Sequence, residues 1–218
     1  MSRGQRLNVT RTVEPTYSPV TLSEAKLHCR VDETDEDALI SSLIVAATNY
    51  AQEIIQRQIM PASYVLALDG FPRGVRNDNC SSAIDGRDIL LPYAGALAVA
   101  SIAYLDTDGA SQTVASADYV LSAASKPSRI ALAYAQVWPD SYAQIDAVTV
   151  TYTAGFIAST ENETVQQDGV PEPIKLAIKL LVSHWFENRE AQIIGTVSNS
   201  IGFAVDALLS PYKIGEMF

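Results

Sequence analysis

The chain has 218 residues, of which 25 are acidic and 15 basic, and its formal net charge at neutral pH is −10. Hydrophobic residues make up 48% and charged residues 18%, a composition typical of a folded globular protein. The excess of acidic residues argues against a nucleic-acid-binding protein, because phosphate contacts need clustered Lys and Arg. No apolar run approaches about 18 residues, so no membrane span is predicted. Cys29 and Cys80 show no metal or redox spacing, and we expect free thiols and synthesis in the cytoplasm.

The N-terminal part of the sequence predicts an arm and two helices. Residues 1–18 show no strong period and read as an extended arm. Thr21 and Glu24 form a capping-box pattern, which predicts a short helix ending near Arg30. A long helix is predicted over 35–58, with Thr34 as its N-cap and acidic residues in its first turn. Its apolar residues recur every three or four positions, at Leu39, Ile40, Leu43, Ile44, Ala47, Tyr50, Ala51, Ile54 and Ile55.

The middle of the chain changes to the period of two that is typical of strands. A turn sequence, Asp106 to Gly109, predicts a hairpin. Residues 70–88 are rich in Gly, Asn, Asp and Ser and are expected to form a long exposed loop. Strands are predicted over 64–68, 88–92, 98–105, 111–114, 118–121, 129–132 and 148–153.

The C-terminal part returns to helical periodicity. Pro171 and Pro173 fit a helix start, and the apolar stripe that follows predicts a helix over 175–188. A shorter helix over 203–209 is ended by Pro211.

These elements predict an α+β fold with a mainly helical core, in which the long N-terminal helix packs on the C-terminal helices and a β-strand insertion lies between them. In domain terms we expect an extended arm at 1–18 and one domain at 19–210. That domain has helices at about 21–60 and 171–210 and a β insertion at about 62–156, and a tail follows at 211–218.

The sequence shows no pattern of catalytic, cofactor-binding or metal-ligating residues. His28 and Cys29 are neighbours on a predicted helix and point about 100° apart, so they do not form a catalytic pair. The acidic run 32–37 lacks the Gly and Glu positions of a calcium loop and is explained by charge at a helix N-terminus. The tyrosines of the β section and Trp138 could form a sugar or peptide platform, but their spread over separate strands favours packing.

Several segments of the sequence, taken in order, resemble those of one protein family. They are PVTLSEAK at 19–26, the Leu39, Ile40, Leu43, Ile44 and Ala47 stripe, VTVTYTAGF at 148–156, VPEPIK at 170–175, HWFENR at 184–189 and ALLSPY at 207–212. This ordered set is similar to the head–tail connector proteins, also called adaptor or head-completion proteins, of long-tailed bacteriophages and gene transfer agents. The chain departs from that pattern in the loop 70–88 and at Gln56, Arg57 and Gln58, where a glycine-containing helix end is expected.

The resemblance implies a structural virion protein at the head–tail interface, without enzymatic activity or cofactor. Such a protein would form a ring of roughly twelve subunits beneath the portal. Its partners would be the portal protein and a stopper or tail-terminator protein, and DNA would pass through the ring without sequence-specific binding. The alternatives are a tail-completion or neck component further from the portal, or a small carbohydrate-binding or enzymatic β module.

The C-terminal segment is the expected portal-binding element. It places apolar side chains beyond the last predicted helix, where they have no core of their own, and such segments gain order on a partner's surface. We expect it to be loosely placed in the free protein, and the alternative is that it folds back on its own subunit. The residues concerned are Leu209, Pro211, Tyr212, Lys213, Ile214, Met217 and Phe218.

Overall fold

The computed structural model describes residues 8–73, 87–93, 95–157, 161–189 and 200–214. These residues divide into two compact units, each with its own hydrophobic core. The helical unit is built from Pro15–Pro61 and from the chain after Gly155. The β unit is built from Ala62–Gly155 and the strand that precedes Pro15.

The helical unit contains the five α-helices of the described residues. They are α1 (Leu22–Cys29), α2 (Asp37–Ile55), α3 (Glu163–Asp168), α4 (Glu172–Glu187) and α5 (Ser200–Leu209). Helix α3, whose first turn is capped by the Asn162 side chain, was not predicted from the sequence.

The helix ends show which sequence signals were reliable. The capping box of α1 is confirmed, because Thr21 Oγ1 accepts the Glu24 N–H at 3.1 Å and the Glu24 carboxylate accepts the Thr21 N–H at 2.8 Å. The N-cap predicted for α2 is wrong: Glu36 occupies that position and makes no side-chain cap. At the other end, Gln56 adopts φ 53°, the left-handed conformation for which glycine is the usual residue.

The predicted packing of α2 on α4 is confirmed. The contact includes an edge-to-face pair between Tyr50 and Trp185, with ring centroids 6.0 Å apart. By length and composition α2 could cross a membrane, but its apolar stripe fills the core of this unit instead. The fully buried side chains of the two helices are Ile40, Ala47, Ala51, Ile55, Ile174, Ala177, Ile178 and Val182.

The β unit contains the eight strands of the described residues. They are β1 (Asn8–Val13), β2 (Ala62–Leu68), β3 (Ile89–Leu91), β4 (Ala96–Leu105), β5 (Ser111–Thr113), β6 (Tyr119–Ser122), β7 (Ser128–Leu132) and β8 (Val148–Ala154). One antiparallel sheet has the order β1-β2-β8-β4-β5 and the other the order β3-β7-β6. Seven strands were predicted from sequence. The eighth, β1, lies in the expected extended arm and forms an edge of the larger sheet.

The centre of the larger sheet is formed by β2 and β8. Both β2 and β8 bury every second residue, and Tyr64 lies opposite Tyr152 with ring centroids 5.6 Å apart. The Tyr152 hydroxyl donates to the Pro92 carbonyl at 2.8 Å, which satisfies the polar end of a fully buried ring.

The prediction of a mainly helical core with a β insertion is therefore wrong. The strands form a second unit, and its core joins Leu66 of the larger sheet with Ile89, Leu91 and Ile130 of the smaller one. Two sheets that bury facing side chains make a core by themselves, so the strand segment does not depend on the helices for burial.

Candidate assembly surfaces

The histidines and the described cysteine are partly buried, and His184 Nδ1 lies 3.1 Å from the Asn188 amide nitrogen. His28 lines an open groove of about 430 Å³ with Glu24, Leu27 and Lys179, none of which is a nucleophile activated by a base. Partial burial raises the pKa of the Cys29 thiol, a hydrogen bond with Ser183 lowers it, and the Glu187 carboxylate raises it further. A raised pKa favours the protonated, unreactive thiol.

The acidic run before α2 is partly neutralised within the helical unit. Lys26 Nζ lies 2.6 Å from the Asp37 carboxylate, and Arg189 pairs with Glu36. Across the parts of the chain that the structure describes, no group of His, Cys, Asp and Glu has the arrangement of a metal site. Of the run, Asp37 lies in the first turn of α2 and Glu36 is its N-cap residue.

Trp138 is partly buried in the β unit and also lines an open groove of about 250 Å³. Its ring stacks on Phe71 with centroids 4.9 Å apart, and its Nε1 donates to the Arg87 carbonyl at 2.8 Å. An exposed ion pair between Arg73 and Asp140 lies beside the stack. These contacts fix the start of the connection between β7 and β8.

The same connection, residues 133–147, presents apolar side chains to solvent. Tyr134 is 100% exposed, Val137 77% and Ile145 79%, although the backbone is held at Tyr142, whose N–H donates to the Leu105 carbonyl. Exposed apolar side chains on an anchored segment are typical of protein–protein contact surfaces. This surface was not predicted from the sequence, because the exposure of a side chain cannot be read from composition.

The predicted portal-binding segment is packed against its own unit as far as it is described. Leu209 and Ile214 are buried, and Tyr212 is half-buried with its ring 6.5 Å from that of Phe156. Among the described residues of the segment, Ser210, Pro211 and Lys213 are exposed. The expected loose placement is therefore not found up to Ile214, because Leu209 and Ile214 join the helical core. Met217 and Phe218 lie outside the described residues.

A cation lies next to this segment. The Arg57 guanidinium carbon is 3.9 Å from the centroid of the Phe156 ring, and burial lowers the pKa of Arg57. Among the described residues its Nε has no hydrogen-bond partner. Lys213 is a second basic side chain near this helix end, since the adjacent Ile214 N–H donates to the Ile55 carbonyl. In the sequence, Arg57 stands out only as part of an unusual helix end.

The first comparison with known proteins finds a family match in the N-terminal third of the chain. Residues 19–77 match the phage gp6-like head-tail connector protein family. The match covers α1, α2 and β2. It includes the first sequence segments on which the resemblance was based, 19–26 and the stripe from Leu39 to Ala47. That resemblance is therefore confirmed. No curated protein matches the chain.

Solved structures match the chain over nearly its whole length. A chain from the neck of an empty gene transfer agent (GTA) particle, computed with C6 symmetry, aligns with a TM-score of 0.72 and 20% identity, covering 97% of both chains. A chain from the virion of a native GTA particle gives 0.70 and 21%, covering 98% of this chain and 97% of its own. A chain from the neck of a native GTA particle, computed with C12 symmetry, gives 0.68 and 22%, covering 97% of both. At these identities the likeness shows a shared fold.

Proposed function

We propose that this chain is a structural, non-enzymatic subunit of the connector between the head and the tail of a phage-like particle. The observation that carries the proposal is the family match at residues 19–77, which spans the two N-terminal helices of the helical unit. The shared fold with chains of GTA necks supports the same role over the remainder of the chain.

In this role the chain forms a closed ring through which DNA passes. Rings of identical subunits use head-to-tail interfaces that close on themselves. A ring of roughly twelve copies would carry a charge of about −120, and an acidic channel wall would keep DNA from adhering as it passes. The exposed apolar side chains of the 133–147 connection are a further candidate for contact with another protein, because ordered apolar surfaces are costly to leave in water.

The C-terminal segment is the proposed contact with the portal protein. Leu209 and Ile214 act as internal anchors, which leaves Pro211, Lys213 and one face of Tyr212 to reach a partner. The charges of Lys213 and Arg57 suit carboxylates on that partner. Met217 and Phe218 remain part of the proposed contact.

Deletion of the gene from the particle-producing genome tests the proposal. Heads and tails that accumulate separately, and join again when the intact gene is restored, would support a connector; normal joining without the gene would exclude it. Pull-down with purified portal and tail-tube proteins separates the adaptor from a neck component further from the head. Binding to the portal supports the adaptor, and binding only to the tail tube supports the alternative.

A further inference from the structure

A short loop of the β unit presents an apolar side chain to solvent. The loop spans 142–147 and both of its ends are held by one residue of β4. The Leu105 carbonyl accepts the Tyr142 N–H, and the Leu105 N–H donates to the Ala147 carbonyl, each at 2.9 Å. Ala147 is buried, whereas Ile145 is 79% exposed. A loop closed in this way holds Ile145 in place, so a partner does not have to order it on binding.

Two carboxylates flank this apolar side chain. Asp146 follows Ile145, and its backbone N–H donates to Asp69 Oδ1 at 3.2 Å. Both aspartates are exposed, and within the described ranges of the chain neither forms a salt bridge. We call Ile145, Asp146 and Asp69 together the loop tip. It combines an exposed aliphatic side chain with negative charge.

The helical unit carries a groove of complementary character. It lies between α1 and α4, has a volume of about 430 Å³ and is lined by Glu24, Leu27, His28 and Lys179. Leu27 is 81% exposed. The Glu24 carboxylate accepts the Thr21 N–H in the capping box, whereas Lys179 forms no salt bridge in the part of the chain that the structure describes. The groove therefore offers an exposed aliphatic side chain beside a positive charge.

We infer that the loop tip of one copy of this chain binds in the groove of a second copy. Ile145 packs on Leu27, and the Asp146 carboxylate pairs with the Lys179 ammonium, so that apolar surface and opposite charges meet in one contact. Because the loop tip and the groove are different surfaces, every copy can use both. Such a contact is heterologous, the type from which closed rings are built. This inference rests on the proposed function, in which copies of the chain form a ring.

Disulfide crosslinking between two kinds of chain tests the contact. In the full chain with Cys29 and Cys80 replaced by Ser, Ile145→Cys and Leu27→Cys are made as separate variants. When the two are mixed and oxidised, the mixed disulfide should form at least about tenfold faster than a disulfide of either variant with itself. As the control, Val45→Cys, which is exposed on α2, should not crosslink to Ile145→Cys. No product, or equal rates with Leu27→Cys and Val45→Cys, would overturn the inference.

A chain that carries both Ile145→Cys and Leu27→Cys distinguishes a second copy from the chain's own groove. It should give dimers and longer species on a denaturing gel. A disulfide formed only within single chains would show that the loop tip occupies the groove of its own chain, and would overturn the inference.

A charge exchange tests the ion pair. Lys179→Asp should weaken the association of copies about tenfold, because it brings two carboxylates together, and Asp146→Lys in the same chain should restore it. The matched control, Asp108→Lys at another exposed position of the β unit, should not restore it. Sedimentation equilibrium of the full-length chains measures the association. Native-like association of Lys179→Asp, or equal rescue by Asp108→Lys, would overturn the pairing. If these tests failed while heads and tails still needed the gene to join, the connector role would stand and this contact alone would be rejected.

Discussion

The backbone N–H of Ile214 donates a hydrogen bond to the carbonyl oxygen of Ile55 at 3.0 Å. Ile55 is the last residue of α2, where carbonyls have no partner within the helix. The Ile214 side chain is only 4% exposed. The segment after α5 is therefore part of the helical unit up to this residue, and its stability and any docking role can be separated by mutation.

Ile214→Ala should lower the free energy of unfolding by about 2–5 kcal/mol, because it removes a buried side chain and leaves a cavity. The matched control is Lys213→Ala, whose exposed side chain should contribute less than about 0.5 kcal/mol. Urea unfolding followed by circular dichroism measures both. Equal stability of the two variants would show that the segment is not anchored by Ile214.

Lys213→Glu should leave the melting temperature unchanged and reduce the joining of heads to tails, since Lys213 is exposed and would face the portal in the proposed contact. Glu163→Lys, an exposed charge reversal in the same unit, is the control. An assembly assay with each variant in place of the native chain gives the measurement. Full joining with Lys213→Glu would count against the docking role.

The two neighbours Leu43 and Ile44 should respond differently to truncation. Ile44 is 3% exposed and Leu181 6%, and replacement of either by Ala should cost about 2–5 kcal/mol. Leu43 is only partly buried, so its replacement should cost less. Val45→Ala, at a 54% exposed position of the same helix, should be nearly neutral. If Leu43→Ala lowered the melting temperature more than Ile44→Ala, the orientation of α2 in the helical unit would be contradicted.

The β unit should lose stability in alkali. Burial raises the pKa of Tyr64 to about 12, and burial also raises the pKa of Tyr152. The neutral phenols are therefore favoured in the folded state, and their contribution is fully present below the unfolded pKa of about 10. It is lost as the pH rises from there through the folded pKa values, because only the unfolded chain releases the protons.

Denaturant titrations from neutral pH to about pH 11 would show this loss. Tyr152→Phe should cost about 1–3 kcal/mol at neutral pH, because the Pro92 carbonyl loses its partner. The same variant should flatten the alkaline slope. An unchanged slope would mean that Tyr152 ionises without unfolding.

The sequence predicted elements better than it predicted their assembly. The stripe from Leu39 to Ile55 and the alternation in β8 are strong periodic signals, and both elements are where they were expected. The arrangement of the strands was not predicted, because pairing such as Tyr64 with Tyr152 joins residues far apart in the chain. Strand β1 was missed because an edge strand, exposed at most positions, shows no clear alternation.

The candidate surfaces were predicted even less completely. The C-terminal segment was predicted to bind a partner because of its apolar residues, but their identity does not show whether they pack against another part of the same chain. In the structure the segment packs at the end of α2, beside Ile55 and Arg57, and neither residue carries a local sequence signal for this packing. The predicted loop at 70–88 lies mostly outside the described residues.

The order of the two units along the chain has a consequence for synthesis. Helix α2 ends at Ile55, and its packing partner α4 begins only at Glu172. At about 5–20 residues per second, a ribosome takes roughly ten seconds to cover that interval. During this time the β unit can fold, while the apolar stripe of α2 remains unpacked because α4 has not yet been synthesised. Nascent chains stalled before α4 should therefore recruit holding chaperones, and chains stalled after α5 should not; crosslinking on stalled ribosomes would detect the difference.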